Sequence, residues 1–345
     1  MLALARLRPV CLLLSGVLIV LSWNGVSSAV EKRSAKKAVR AKKADDAKKA
    51  LMAEEKHPLP ATVAPGAKLE TEYEAPGYTL EGPVWDLQTK KLYFTAFGKT
   101  TQILRLDERG KATVWLDKTG GVNGTCMGID GRLIGAAAYD HKIVSYGIGT
   151  NGPTDTKVLY EDKKLFQPND VCQAPNGNIY FTDPDWAQSK RSAVYLLTPK
   201  GKVQAVVHDA KLTNGVRTSL DGKTLYVSDD GPENWRAYPI QEDGTVGPGH
   251  VFFDPPTAVK GSPDGMGLDE HGNLYVSGRG GVWAADKHGK SLGFIAIPEF
   301  CSYASFGDED GKTLYFVTQA SGGKPSHVYS LRMTVRGEQW ARKRS

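Results

Sequence analysis

Beyond residue 70 the chain is written in short apolar and aromatic runs separated by turns rich in Gly, Asn and Asp. The clearest unit is a Gly or Lys turn followed by a strand-like run. It occurs as Lys91-Leu-Tyr-Phe-Thr95, Gly131-Arg-Leu-Ile134, Gly177-Asn-Ile-Tyr-Phe-Thr-Asp183, Gly222-Lys-Thr-Leu-Tyr-Val-Ser-Asp229, Gly272-Asn-Leu-Tyr-Val-Ser277 and Gly311-Lys-Thr-Leu-Tyr-Phe-Val317. Taking Tyr93, Ile134, Tyr180, Tyr226, Tyr275 and Tyr315 as equivalent, the steps are 41, 46, 46, 49 and 40 residues. A second run follows each unit: Ile103–Leu106, Ile143–Tyr146, Val194–Leu197, Trp235–Tyr238, Val282–Ala285 and Val328–Leu331. Short β-branched and aromatic runs between such turns are strand-and-hairpin chemistry. No stretch in this region keeps a 3.6-residue apolar period.

A repeat of 40 to 50 residues with about four strands per unit is the pattern of a propeller blade. Six units predict an all-β, six-bladed β-propeller over residues 67–345. Each blade leaves a face exposed that radial packing buries. The ring must close, so a strand ahead of Glu81, either Leu69–Tyr73 or Tyr78–Leu80, is expected to pair into the last blade and protect its edge.

A polar residue recurs in phase with the repeat. Eleven or twelve residues before the reference positions stand Glu81, Asn123, Asn169, Asn214 and Asp264, and the sixth place falls on Tyr303. In a propeller the first strand of each blade lines the central channel, so these side chains are expected to converge. Two carboxylates and neutral amide oxygens, without His or Cys, form a hard oxygen set suited to Ca²⁺ rather than Zn²⁺. A divalent ion would also relieve the repulsion between the two acids. The competing reading takes Asn123-Gly124, Asn214-Gly215 and Asp264-Gly265 as hairpin turns.

Composition and charge narrow the class. Of 345 residues, 40% are apolar and 24% charged, as in an ordinary globular protein. The net charge of +6 arises at the N-terminus. Residues 1–60 hold twelve Lys and Arg against five acids, which leaves the other 285 residues at −1. Nothing there suggests a nucleic-acid-binding face. Arg6 and Arg8, the apolar run Val10–Leu21 and the small residues Val26-Ser-Ser-Ala29 read as a signal peptide over 1–29, hence export to a periplasmic or extracellular space. The alternative is an uncleaved anchor, because residues 9–30 carry no charge. Residues 30–66 read as a Lys/Ala-rich linker ending in Pro58, Pro60 and Pro65; it is either a plain tether or a contact to an anionic surface. Cys126, Cys172 and Cys301 have no metal-site spacing and read as small buried residues, although one pair could bridge in an oxidising compartment. Gly147-Ile-Gly-Thr-Asn-Gly152 matches G-x-G-x-x-G but precedes a strand-like run, not the helix a dinucleotide site needs. No G-x-S-x-G or Ser/His/Asp set is evident.

Local motifs then carry a resemblance. Glu81-Gly-Pro-Val-Trp85, Gln167-Pro-Asn-Asp170, Asn214-Gly215 with Ser219-Leu-Asp-Gly222, and Pro263-Asp-Gly-Met266 occur in order, with Tyr180-Phe-Thr-Asp-Pro184 and Leu225-Tyr-Val-Ser-Asp229. The chain resembles the gluconolactonase/regucalcin (senescence marker protein) family of six-bladed propellers from about residue 70 to 332. That resemblance implies a central divalent ion held by Glu81, Asn169, Asn214 and Asp264, with Asp264 also the candidate acid/base. Ca²⁺ is expected, with Zn²⁺, Mn²⁺ or Mg²⁺ as alternatives. It implies substrate contacts from Gln167, Asn123 and Asn169. Gln167 stands where animal members of the family have an Arg, which weakens the case for a sugar lactone.

The expectation is therefore a monomeric, metal-dependent hydrolase of lactones or related cyclic esters. Two alternatives stand. One is a lyase or synthase built on the same ring. The other is a non-catalytic exported propeller that binds a protein or glycan around a structural ion; a plugged channel mouth would favour it, and an open pocket above the ion would favour the enzyme.

Overall fold

The computed structural model describes residues 57–187, 191–256, 262–320 and 322–342. The expected signal peptide and most of the expected linker lie outside them.

Twenty-four strands among the described residues form six four-stranded antiparallel sheets. The first strand, β1 (Glu70–Ala75), belongs to the last sheet. Blade 1 is β2 (Thr79–Asp86), β3 (Lys91–Phe97), β4 (Thr101–Glu108) and β5 (Lys111–Asp117). Blade 2 is β6 (Val122–Met127), β7 (Leu133–Ala137), β8 (Lys142–Tyr146) and β9 (Thr156–Glu161). Blade 3 is β10 (Val171–Gln173), β11 (Ile179–Asp183), β12 (Ala193–Leu197) and β13 (Val203–Val207). Blade 4 is β14 (Thr213–Thr218), β15 (Thr224–Asp229), β16 (Asn234–Pro239) and β17 (His250–Phe253). Blade 5 is β18 (Met266–Leu268), β19 (Leu274–Gly278), β20 (Gly281–Ala285) and β21 (Ser291–Ala296). Blade 6 is β22 (Phe300–Gly307), β23 (Thr313–Gln319) and β24 (Ser326–Arg332), completed by β1.

All six reference positions fall on the second strand of their blade and are buried. The runs read as following strands are the third strands. Closure uses the earlier of the two candidate segments: β1 pairs with β24 from Glu70↔Ser330 to Ala75↔Ser326. The Gly147–Gly152 run is the connection between β8 and β9, as its sequence context predicts.

Six apolar clusters hold the ring, one at each blade–blade interface. Tyr93, Ile103 and Trp115 of blade 1 pack with Leu133 and Val144 of blade 2. Trp85 and Phe94 meet Tyr315 and Val317 across the closing interface between blades 6 and 1. Each fully buried aromatic or branched side chain contributes roughly 1.5–3 kcal/mol, so no single interface dominates. Cys126, Cys172 and Cys301 are buried and unbridged within these interfaces.

Near the axis the contacts are polar and very close. Thr125 Oγ1 donates to Gly82 O at 2.6 Å and Thr95 Oγ1 to Asn123 O at 2.8 Å, joining blades 1 and 2. Gly124 N donates to Asn169 O at 2.7 Å (blades 2 and 3), and Val216 N to Asp170 Oδ2 at 2.8 Å (blades 3 and 4). Ser228 Oγ donates to Asp264 O at 2.9 Å (blades 4 and 5), Gly265 N to Ser302 O at 2.8 Å (blades 5 and 6), and Ser302 Oγ to Leu80 O at 2.7 Å (blades 6 and 1). This belt crosses every interface. It needs glycine where strands meet: a Cβ on Gly124 would lie 2.1 Å from Asp170 Oδ1, and one on Gly215 would lie 2.4 Å from the Asp264 carbonyl oxygen. The Asn-Gly and Asp-Gly pairs are therefore not hairpin turns. Asn123-Gly124 and Asn214-Gly215 sit in bulges of β6 and β14, between Val122 and Thr125 and between Thr213 and Val216. Asp264-Gly265 immediately precedes β18.

Two elements depart from the sequence reading. Residues 57–66, the last ten of the stretch read as linker, pack on the propeller. Val63 is buried and bridges Met333, Thr62 Oγ1 meets Tyr275 OH at 2.8 Å, and the His57 ring abuts Trp283. Pro58 O and Pro60 O also accept backbone hydrogen bonds, from Phe294 and Val63. The prolines thus mark a docked extended segment rather than the domain edge. The second departure is a one-turn helix, α1 (Glu338–Arg342). Its Glu338 pairs with Arg217, and Arg342 Nη1 donates to Gln173 O at 3.0 Å, so it seals the axis where the inner strands end. Five residues are too few for an apolar period to register.

Gly215→Ala forces a backbone shift between blades 4 and 5 and is expected to cost about 2 kcal/mol or more. Gly201→Ala, which has open space and only a left-handed backbone to oppose it, should cost about 1 kcal/mol. Thermal denaturation of the two variants side by side checks the order.

Candidate metal centre and active site

The six side chains singled out from the sequence, Glu81, Asn123, Gln167, Asn169, Asn214 and Asp264, line one cavity of about 310 Å³. It opens at the end of the channel where the inner strands begin, opposite α1. Glu81 and Asn214 lie near the starts of β2 and β14, Asn123 lies in β6, and Asn169 and Asp264 lie one or two residues ahead of β10 and β18. Thr79, Phe97, Ala138, Tyr139, Trp186 and Gln319 complete the wall. A larger groove of about 460 Å³ lies between blades 2 and 3 at the opposite strand ends. It is walled by Ile129, Leu159 and Leu197, with Asp130 as its only carboxylate among the described residues. It lacks converging acids, so the smaller cavity is the chemically equipped one.

Electrostatics set this cavity apart. Burial pushes the Glu81 carboxyl up to about 8, and the Asp170 charge adds to the rise against a hydrogen bond from Gln319. Burial likewise holds the Asp264 carboxyl well above the usual range, reinforced by repulsion from Glu81, Asp170 and Asp230. Two buried acids that oppose each other's ionisation either keep protons or meet a cation. The donor set fits the second outcome. Asn214 Nδ2 donates to Pro263 O at 3.1 Å, which fixes the amide and leaves Oδ1 buried with no hydrogen-bond partner. An orphaned amide oxygen beside two carboxylates is an arrangement a hard divalent cation satisfies.

The supporting residues were less visible in the sequence. Gln319, at the end of β23, donates from Nε2 to Glu81 Oε1 and so orients it. The sixth ring place proves structural: Tyr303 OH donates to both carboxylate oxygens of Asp170 at 3.2 and 3.3 Å. Asp170 also accepts from Val171 N and Val216 N, and burial still raises its carboxyl to about 6. It braces the chain just ahead of β10, where Asn169 lies. Asp183 accepts from Phe166 N and Gln167 N, at 2.8 Å for the latter, and so fixes the segment bearing Gln167. Asp229 does the same for Lys211 and Leu212 ahead of Asn214. These are structural acids, as their strand-end places suggest. The aromatic wall of Phe97, Tyr139 and Trp186 was missed; its signal is an aromatic at or just after the second strand of blades 1, 2 and 3.

The raised carboxyls have a sign in the stability curve. A folded-state value above the unfolded one stabilises fully below about pH 4.5 and is lost as pH rises through about 8. Chelator-treated protein should thus lose on the order of a few kcal/mol between pH 5 and 8.5. Glu81→Gln should flatten that decline in urea titrations at the two pH values.

Comparison with known proteins agrees with the fold. Residues 79–320 match the family model described as "SMP-30/Gluconolactonase/LRE-like region". A gluconolactonase of Zymomonas mobilis is 29% identical over 217 residues, covering 56% of this chain and 60% of that protein. The lactonase drp35 of Staphylococcus haemolyticus is 25% identical over 260 residues, covering 73% of this chain and 76% of that protein. The solved structure of a gluconolactonase from Xanthomonas campestris superposes with a TM-score of 0.67 at 28% identity, over 79% of this chain and 92% of that one. With the family model spanning the six-bladed ring from β2 to the end of β23, the chain belongs to the SMP-30/gluconolactonase/LRE-like family.

Proposed function

We propose that this protein hydrolyses lactones or closely related cyclic esters in the cavity floored by Glu81, Asn169, Asn214 and Asp264, with a divalent cation, Ca²⁺ by its chemistry, as cofactor. The observation that carries the reading is the meeting of two buried carboxylates with an orphaned amide oxygen in an open cavity. The relatives named for lactonase and gluconolactonase activity support the reaction class.

Glu81, Asn169, Asn214 and Asp264 would hold the cation, which when bound supplies a Lewis acid for the ester carbonyl and neutralises the two acids. Asp264 would accept a proton from the attacking water. The water oxygen bonds to the carbonyl carbon, the bond from that carbon to the ring oxygen breaks, and the proton held on Asp264 passes to the ring oxygen. The product is an open-chain hydroxy acid. Gln167 and Asn123, neutral amides on the wall, orient the substrate through hydrogen bonds. Gln319 keeps Glu81 turned to the floor. The N-terminal expectation places this reaction outside the cytoplasm.

The test is a lactone panel assayed after chelation and again after Ca²⁺ is restored; activity indifferent to the chelator would sink the proposal. Asp264→Asn should keep the thermal transition and lose about 10²-fold or more in turnover. Added Ca²⁺ should raise the melting temperature more at pH 8 than at pH 5, because protons compete for Glu81 and Asp264 at the lower pH.

A further inference from the structure

The two halves of the cavity rim differ in chemistry. At or just after the second strand of blades 1, 2 and 3 stand Phe97, Tyr139 and Trp186, all lining the cavity. One residue past the second strands of blades 4 and 5 stand Asp230 and Arg279, outside the cavity lining, and Gln319 ends that of blade 6 and does line it. Among the described lining residues, these strand ends contribute aromatic rings over blades 1 to 3 and a single amide, Gln319, over blade 6.

The aromatic arc is exposed and held in place. Tyr139 is 59% exposed and Trp186 is 42% exposed, against a fold that buries most of its large aromatics. Phe97 and Tyr139 meet edge to face, with centroids 6.1 Å apart and planes at 82°. Tyr139 N donates to Gly120 O at 3.0 Å, and Asp185 N, beside Trp186, donates to Ser192 Oγ at 2.9 Å. Rings fixed over a polar floor lose little entropy on covering a ligand and offer flat apolar area. A cavity of about 310 Å³ is near the lower end of ligand pockets, roughly 300–1,000 Å³, with room for a small ring and one substituent. Against those ring faces the hydroxyl groups of a polyhydroxylated lactone gain less than an apolar substituent does.

From this asymmetry we infer that the preferred substrates are lactones bearing an aryl or comparably apolar substituent, which lies against Tyr139 and Trp186 over blades 1 to 3 while the ester faces the acidic floor. The inference rests on the lactonase reading above and adds the substrate class. The probes are γ-phenyl-γ-butyrolactone, unsubstituted γ-butyrolactone and δ-gluconolactone, assayed with saturating Ca²⁺. The expected kcat/KM is highest for the phenyl compound, by about 30-fold over the unsubstituted ring, within the range an apolar pocket provides. Trp186→Ala and Tyr139→Ala should each cut that ratio about tenfold, while Ile129→Ala at the far end of the molecule leaves it unchanged. Equal rates, or a preference for δ-gluconolactone, would overturn the inference and leave the lactonase reading standing. Should no lactone turn over, calorimetric binding of the lactam analogue of the phenyl compound separates the two ideas. Binding weakened by Trp186→Ala upholds the aromatic subsite and rejects the hydrolase, whereas no binding rejects both.

Discussion

The close approach of six inner strands around one axis is the constraint on which the rest of this molecule depends. Apolar clusters between blades supply most of the burial, but they are broad and would tolerate small sliding. The polar belt would not. Hydrogen bonds of 2.6 to 2.9 Å tie backbone carbonyls of one blade to hydroxyls and amides of the next, and glycines stand where a methyl group would collide. Three of the residues that bear the site oxygens are members of this belt. Asn123, Asn169 and Asp264 each give their backbone carbonyl to it, so their side chains are placed by the same bonds that close the ring.

That arrangement carries an electrostatic penalty at one end of the channel and removes it at the other. At the α1 end the buried acid Glu338 is met by Arg217 and Arg342, and the axis is sealed. At the opposite end Glu81 and Asp264 share a cavity whose wall, among the described residues, includes no Lys, Arg or His. Asp170 lies between the two ends, shielded by two backbone amides and Tyr303. Axial acids that meet cations at one end, and among the described residues meet none where solvent and ligand enter, have the profile of a functional site rather than a packing compromise. The plug that would have argued for a purely structural ion is present, but it closes the end away from these acids.

The repeat made most of this legible from sequence. Buried second-strand tyrosines recur at a fixed phase, and once they were aligned the ring residues fell eleven or twelve places earlier. That spacing survives because it counts along one hairpin of each blade. What it could not convey was how the strand passes the axis. Asn214-Gly215 has the composition of a hairpin turn, yet it forms a bulge because its glycine faces the Asp264 carbonyl of the next blade, a contact 49 residues away. Tyr303 occupies the sixth phase without serving the floor, since its hydroxyl is spent on Asp170 across the axis. Gln319 and α1 act through contacts between the chain's end and its beginning or middle, 238 residues apart for Gln319 and Glu81. No local pattern encodes such a pairing.

Phase also explains how a sixfold scaffold yields a one-sided site. The belt demands nearly the same backbone from every blade, so variation concentrates where the second strand ends and the chain turns outward above the channel. Phe97, Tyr139 and Trp186 take no part in the belt, so this side of the rim can vary at little cost to stability. The floor is constrained to oxygen donors by mutual repulsion and burial; the rim is constrained only by what it touches. Specificity in such a molecule can therefore change by substitution at Phe97, Tyr139 or Trp186 without disturbing the hydrogen bonds that set Glu81, Asn169, Asn214 and Asp264. The chemistry of the floor and the choice of substrate are separable properties of the same ring.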